Sequence, residues 1–164
     1  MASGDSLLMF TALNNEPPSS NYATIDVRNQ HVVLDFDDST DESAVFKGVM
    51  PRNYSGGGIT VYIHWSAAGV TTNNVIWDVS FERIGDGQQD VDSDGFAAVN
   101  SVTDAAPGTD GHVTIANVTF TDGADMDSVA VGELFRLKIT RDADNASDTM
   151  AADAELHAIE LKET

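Results

Sequence analysis

The sequence predicts an all-β protein, an antiparallel β-sandwich of jelly-roll type with about eight to nine strands. In Ile59–Trp65 every second residue is apolar and bulky, and Val75–Phe81 repeats this alternation. Successive side chains of a strand point to opposite faces, so each run places one face on a core. Turns rich in Gly, Asp and Asn separate these runs, and the chain has no long helical pattern and no internal repeat.

The first element predicted is a strand over Ser6–Leu13, ended by the polar and proline residues at 14–18. Residues 1–18 have a second interpretation, an N-terminal arm that docks on another protein or on a sister subunit, because terminal strands often complete another sheet. We favour the ordinary first strand of the sandwich.

A β-hairpin is predicted next. Tyr22–Arg28 and His31–Phe36 both have strand character, and only Asn29 and Gln30 separate them. Two strands joined by two polar residues are typical of a tight hairpin. After an acidic loop, residues 44–50 form the next extended segment, which Pro51 ends.

The second half of the chain alternates strands with polar loops. Residues 85–111 are rich in Asp, Gly, Ser and Asn, and the apolar island Phe96–Val99 fits a short helix or a strand equally well. His112–Phe120 alternates, but its apolar phase slips at Ala116–Asn117, which predicts a β-bulge. Asp125–Val131 fits one helical turn. The last strands are predicted at Leu134–Thr140 and Leu156–Leu161.

The composition fits one domain, residues 1–164, with a strongly acidic surface. Hydrophobic residues make up 41%, and 27 acidic residues against 8 basic ones give a formal net charge of −19. This charge repels nucleic acid and anionic membranes, so neither is a predicted partner. Solubility or adaptation to salt explains the charge best, and assembly helped by cations or by a basic protein surface is the alternative.

The absence of cysteine excludes disulfides, thiolate metal sites and cysteine nucleophiles. The N-terminal residues show no secretory signal, and no window reaches the length of a membrane span. We therefore expect synthesis in the cytoplasm without export by a standard signal.

One loop has the character of a metal site. Asp90, Asp92 and Asp94 alternate and are followed by Gly95, a pattern that can place several carboxylate oxygens around calcium. An EF-hand loop, however, needs a glutamate where Ser101 stands. The alternative is a solvated acidic turn, in which the aspartates cap local backbone amides. Calcium is the one cofactor that the sequence offers, and we favour the turn.

No catalytic residue is predicted. The four histidines are His31, His64, His112 and His157, and no two have the spacing of metal ligands. No nucleophile elbow or phosphate-binding glycine motif is present, and so many carboxylates offer accidental pairs that none is singled out.

The aromatic residues divide between the two phases of the strands. Trp65, Trp77 and Phe81 fall on the apolar phase and are predicted in the core, whereas Tyr62 and His64 fall on the opposite phase. Exposed aromatic rings on one face would suit a sugar platform or a subunit interface. We favour the interface.

Two groups of segments resemble small β-rich structural proteins of tailed bacteriophages and prophages. The first group comprises residues 21–24, 34–37, 41–46 and 50–54, and the second comprises residues 132–142, 148–150 and 153–156. The resemblance covers most of the chain, but it is one of pattern and includes no motif tied to chemistry.

This resemblance implies a virion structural protein of the head decoration, or cement, type. Such proteins commonly work as homotrimers on the lattice of the major capsid protein, which implies localisation on the capsid surface. The function expected is therefore non-enzymatic stabilisation of the head. The first alternative is a glycan- or receptor-binding module of a phage tail or fibre, and the second is a hydrolase that uses two of the carboxylates.

Overall fold

A computed structural model describes residues 4–164 and shows two antiparallel sheets packed face to face, as predicted. These residues form ten strands and two short 3-10 helices, Ala12–Asn14 and Ala124–Met126. The strands are β1 (Ser6–Thr11), β2 (Thr24–Arg28), β3 (His31–Phe36), β4 (Glu42–Val49), β5 (Ile59–Ala67), β6 (Asn74–Ile84), β7 (Asn100–Ala105), β8 (Thr114–Phe120), β9 (Leu134–Arg141) and β10 (Ala154–Glu163). No helix in this part of the chain is long and apolar enough to cross a membrane.

The strands divide unequally between a large sheet and a small sheet. The large sheet has six strands in the order β2-β3-β10-β5-β8, with β1 as an additional partner of β10. The small sheet has four strands in the order β4-β9-β6-β7. β1 pairs antiparallel with β10, so Ser6–Thr11 is a strand of the sandwich; Met1, Ala2 and Ser3 lie outside the described residues.

The core lies between the inner faces of the sheets. Trp65 of the large sheet meets Trp77 of the small sheet at a ring-centroid distance of 5.8 Å, and Phe36 meets Trp77 edge to face at 5.1 Å. Both tryptophans and Phe81 are fully buried, which confirms their predicted role. Edge-to-face contacts between such large rings contribute about 0.5–1.5 kcal/mol each beyond the area they bury.

β10 lies in the middle of the large sheet and contains a bulge that the sequence analysis missed. Its partner β5 pairs in register through Leu156, and the register then shifts before Ala158. As a result, His157 and Ala158 both lie on the outer face, the face that points away from the core.

The bulge predicted in β8 is wrong. β8 pairs with β5 without a register shift from Thr114 to Phe120. Ala116, Val118 and Phe120 point inward, whereas Ile115 lies on the outer face and is 47% exposed. The phase slip therefore comes from an apolar residue on the outer face.

A buried ion pair fixes the loop between β9 and β10. Arg141 and the side chain of Asp148 are fully buried, with Nη2 to Oδ1 at 2.8 Å and Nε to Oδ2 at 3.0 Å. The guanidinium also donates to the backbone carbonyls of Ala152 and Met150, both at 2.7 Å. Every charge is paired, and this limits the cost of burying them.

The loop between β6 and β7, residues 85–99, covers part of the outer face of the small sheet. The Ala97 N–H donates to the Phe81 carbonyl, and the Phe96 ring lies against two cations, 5.0 Å from the Arg136 guanidinium and 4.7 Å from the Lys138 ammonium. Phe96–Val99 forms neither helix nor strand.

A candidate binding groove on the large sheet

The outer face of the large sheet is an open surface built from side chains of neighbouring strands. Met9 of β1 pairs with Glu160 of β10, which pairs with Tyr62 of β5. One step along the strands, Ala158 pairs with His64, which pairs with Ile115 of β8. Because this face points away from the core, these side chains are available to a ligand.

Two adjoining cavities of about 350 and 470 Å³ cross this face and share Val113 and His157, so they form one groove. The groove, as we use the term below, is lined by Met9, Arg28, Asn29, His31, His64, Ser66, Gly111, Val113, His157, Ala158, Ile159 and Glu160.

The two ends of the groove differ in chemistry. At one end Met9 is 70% exposed, and it is joined by Ala158, with Ile115 and Tyr62 beside them on the same face. At the other end the lining is polar and comes from the β2–β3 hairpin, β5 and the loop before β8. The sharp turn of that hairpin, at Asn29 and Gln30, is confirmed by positive φ values of 45° and 69°.

A hydrogen-bonded network lies beneath the polar end. His157 Nε2 is 2.8 Å from Ser66 Oγ, and Ser66 Oγ is 2.7 Å from Glu155 Oε2. Arg28 donates to the same Glu155 oxygen at 2.5 Å and to Asp110 at 2.7 Å. Ser66 and Glu155 are almost fully buried, so the network supports the side chains that reach the groove.

Burial shifts the protonation of two groups on this face. It lowers the pKa of His157 from the ordinary histidine value, an effect that nearby Glu155 opposes and His31 reinforces. Burial also raises the pKa of Asp35 to about 7, with further increases from Asp26 and Glu155. The neutral form of each side chain is thus favoured in the folded protein.

Asp35 and Asp26 are close enough to share a hydrogen bond. Glycoside hydrolysis by two carboxyl groups needs a separation of about 5 Å or more, so that substrate or water fits between them. This pair therefore does not have the geometry of a glycosidase, and neither residue lines the groove.

The predicted calcium residues lie elsewhere. Asp90, Asp92 and Asp94 are exposed in the β6–β7 loop, where the Asp92 N–H donates to Asp90 Oδ1 at 3.0 Å and the Ser93 N–H donates to the Asp90 carbonyl. Among the described residues, carboxylates converge in threes at two other places. These are Asp37, Asp38 and Asp153, and Asp41, Asp142 and Asp144. The calcium assignment stays a prediction.

The sequence analysis found part of the groove. It placed Tyr62 and His64 together on the face opposite the core, and that placement is correct. It did not bring His31 and His157 to His64, because that convergence needs the pairing of β3, β10 and β5 and the bulge in β10. The available signal was Leu156-His157-Ala158-Ile159, in which the apolar phase slips by one residue.

Comparison with known proteins gives structural neighbours only. No protein-family model and no curated protein matches the sequence. Solved structures with the same fold include a family 35 carbohydrate-binding module from an environmental isolate (TM-score 0.57, 12% identity, 96% of this chain and 94% of that chain).

Two further neighbours are similar over nearly their whole length. A family 11 carbohydrate-binding module from Clostridium thermocellum, solved with a β-1,3-1,4-mixed-linked tetrasaccharide, has a TM-score of 0.54 at 10% identity, with 100% and 98% of the two chains covered. A family 22 xylan-binding domain from Paenibacillus barcinonensis has a TM-score of 0.51 at 11% identity and 92% coverage of both chains. At these identities the likeness establishes the β-sandwich fold alone.

Proposed function

We propose that this chain is a non-catalytic carbohydrate-binding domain that holds a glycan in the groove of the large sheet. The observation that carries the proposal is an open groove, apolar at one end and polar at the other, on a sandwich whose structural neighbours include carbohydrate-binding modules. The glycan-binding alternative thus has more support than capsid decoration.

The chemistry of the groove suits a sugar chain. Pyranose rings carry C–H groups on their faces and hydroxyls around their edges, so they need apolar contact and hydrogen bonds together. Met9, Val113 and Ala158 supply the apolar contact, and His64, His157 and Asn29 supply the polar groups. A net charge of −19 disfavours polyanionic glycans, which makes the proposed ligand a neutral polysaccharide.

The names of the neighbours provide the first probes. One domain binds xylan, and another was solved with a mixed-linkage tetrasaccharide. Affinity electrophoresis and calorimetry with xylan and with mixed-linkage β-1,3-1,4-glucan, followed by an array of neutral glycans, test the proposal directly.

Met9→Ala should weaken binding of the best probe about tenfold, because Met9 lines the groove and is 70% exposed, and burying a methionine side chain contributes about 1.5 kcal/mol. Leu13→Ala is the matched control, since Leu13 is 69% exposed, almost as much as Met9, but lies outside the groove. Absence of binding across the array, or equal losses for the two variants, would contradict the proposal.

The capsid-decoration role, the trimer and the capsid surface as location remain predictions from the resemblance. They require a protein that is oligomeric in solution and binds assembled shells through many copies at once. Native mass measurement and co-sedimentation with capsids test this role. Shells that burst alike with and without the protein would reject it.

A further inference from the structure

The network beneath the groove restricts which nitrogen of His157 carries a proton. Arg28 can only donate, and the Glu155 carboxylate accepts from it. Ser66 has one hydroxyl proton, which it donates to the same carboxylate oxygen. Ser66 Oγ can therefore only accept at its contact with His157 Nε2, so Nε2 carries the proton.

A neutral histidine protonated on Nε2 has a lone pair on Nδ1. In the described residues 4–164, the His157 ring hydrogen-bonds to Ser66 through Nε2. Its Nδ1 is not among the buried polar atoms that lack a hydrogen-bond partner. The ring lines both cavities of the groove. Nδ1 is thus an acceptor held in a fixed orientation beside the ligand-binding space.

We propose that His157 is a specificity-determining residue of the groove, whose Nδ1 accepts a hydrogen bond from a hydroxyl of the bound glycan until protonation turns it into a donor. This inference rests on the proposed function. It makes the site sensitive to pH, because one proton reverses the polarity of the atom that faces the ligand.

The groups around His157 come from every element packed against it. They are Glu155 on β10, His64 on β5, His31 on β3 and Arg28 on β2, and Arg28 is in turn paired with Asp110 in the loop before β8. Burial lowers the pKa of His157, Glu155 opposes the shift, and His31, Arg28 and His64 reinforce it. The ring is therefore neutral at pH 7, and the acceptor is lost as the pH falls through the lowered pKa.

The tautomer can be tested in the free protein. Long-range ¹H–¹⁵N correlation spectra should show His157 protonated on Nε2 and unprotonated on Nδ1 at pH 7, with a titration midpoint below the ordinary histidine value. Ser66→Ala removes the acceptor for Nε2–H and should shift the tautomer balance. A proton on Nδ1 at pH 7 would overturn the proposal. No glycan is needed, so this result stands apart from the success of the proposed function.

Binding provides the second test, with mixed-linkage β-1,3-1,4-glucan or xylan as the probe, whichever binds more tightly. Affinity should fall several-fold as the pH falls through the lowered pKa of His157, because a glycan that covers the ring removes water from its charged form. His157→Gln should flatten this profile, and His64→Gln should keep it. The proposal would be overturned if His64→Gln abolished the pH dependence of affinity, or if folded His157→Gln left that dependence unchanged.

Discussion

The outer faces of the two sheets both arise from the alternation of side chains along strands, but one face is open and the other is covered. On the large sheet, Met9 and Ile115 remain exposed around a groove. On the small sheet the outward residues Val45, Ser80 and Glu82 are buried, and the β6–β7 loop places Phe96 against the cations of Arg136 and Lys138. Strand alternation thus creates two candidate surfaces, and the loops decide which one stays available to a ligand.

The two outer faces also differ in the protonation of their ionisable side chains. Glu82 on the small sheet is fully buried and paired with Arg136. On the large sheet, Asp35 and His157 favour their neutral forms. The covered face has the Glu82–Arg136 ion pair and the open face has the Arg28–Glu155 ion pair, but the open face also carries two groups, Asp35 and His157, whose neutral forms are favoured. Such shifted groups are common at functional sites.

The largest effect is expected from breaking the ion pair of the covered face. Arg136→Met leaves the Glu82 carboxylate buried without a cation and removes one contact of Phe96. We expect the free energy of unfolding to fall by about 3 kcal/mol, because an uncompensated buried charge is costly. Urea denaturation measures this fall in the free energy of unfolding.

Lys47→Met is the control for this change, since Lys47 forms an exposed pair with Glu16 on the same sheet. It should cost less than about 0.5 kcal/mol. Glycan affinity should be unchanged in both variants. Equal destabilisation by the two substitutions would contradict the role of the buried Glu82–Arg136 pair in holding the covered face.

The sequence predicted the inward half of each strand better than the outward half. Trp65 and Trp77 could be assigned because alternation alone places them in a core. Ile115 could not, because an apolar residue on an outer face breaks the pattern in the same way as a bulge does. The site was least predictable where side chains are brought together by cross-strand pairing, as for His157. The covering of the small sheet was also unpredictable, because it depends on contacts between Phe96 and residues distant in sequence.

A smaller, pH-dependent effect is expected at Asp35 on the open face. Its pKa is about 7 in the folded protein against an ordinary 3.8, so between these values the native state binds more protons than the unfolded state. This group therefore costs stability as the pH rises from 3.8 to about 7, and the full cost applies above that range. Asp35→Asn removes this cost in stability.

We expect Asp35→Asn to stabilise the protein by about 1 kcal/mol at alkaline pH, after a discount for solvent contact, and to have little effect near pH 4. Chemical denaturation at both pH values measures the difference. Asp94→Asn controls for the general gain from removing one negative charge, since Asp94 is exposed. A gain of equal size at both pH values would contradict the raised pKa.

The smallest effect concerns the predicted calcium loop, which lies in the cover of the small sheet. Asp90, Asp92 and Asp94 are exposed, so calcium binding would need the loop to rearrange around the ion. At a calcium concentration equal to its dissociation constant the ion would add about 0.4 kcal/mol to the stability. The prediction is a small rise in the unfolding midpoint with calcium that a chelator reverses and Asp90→Asn abolishes.

Asp38→Asn is the matched control, because Asp38 belongs to a carboxylate triple with Asp37 and Asp153 at another place in the fold. A calcium response that survives Asp90→Asn and disappears in Asp38→Asn would move the ion away from the covering loop, and the difference between the two faces would then owe nothing to metal.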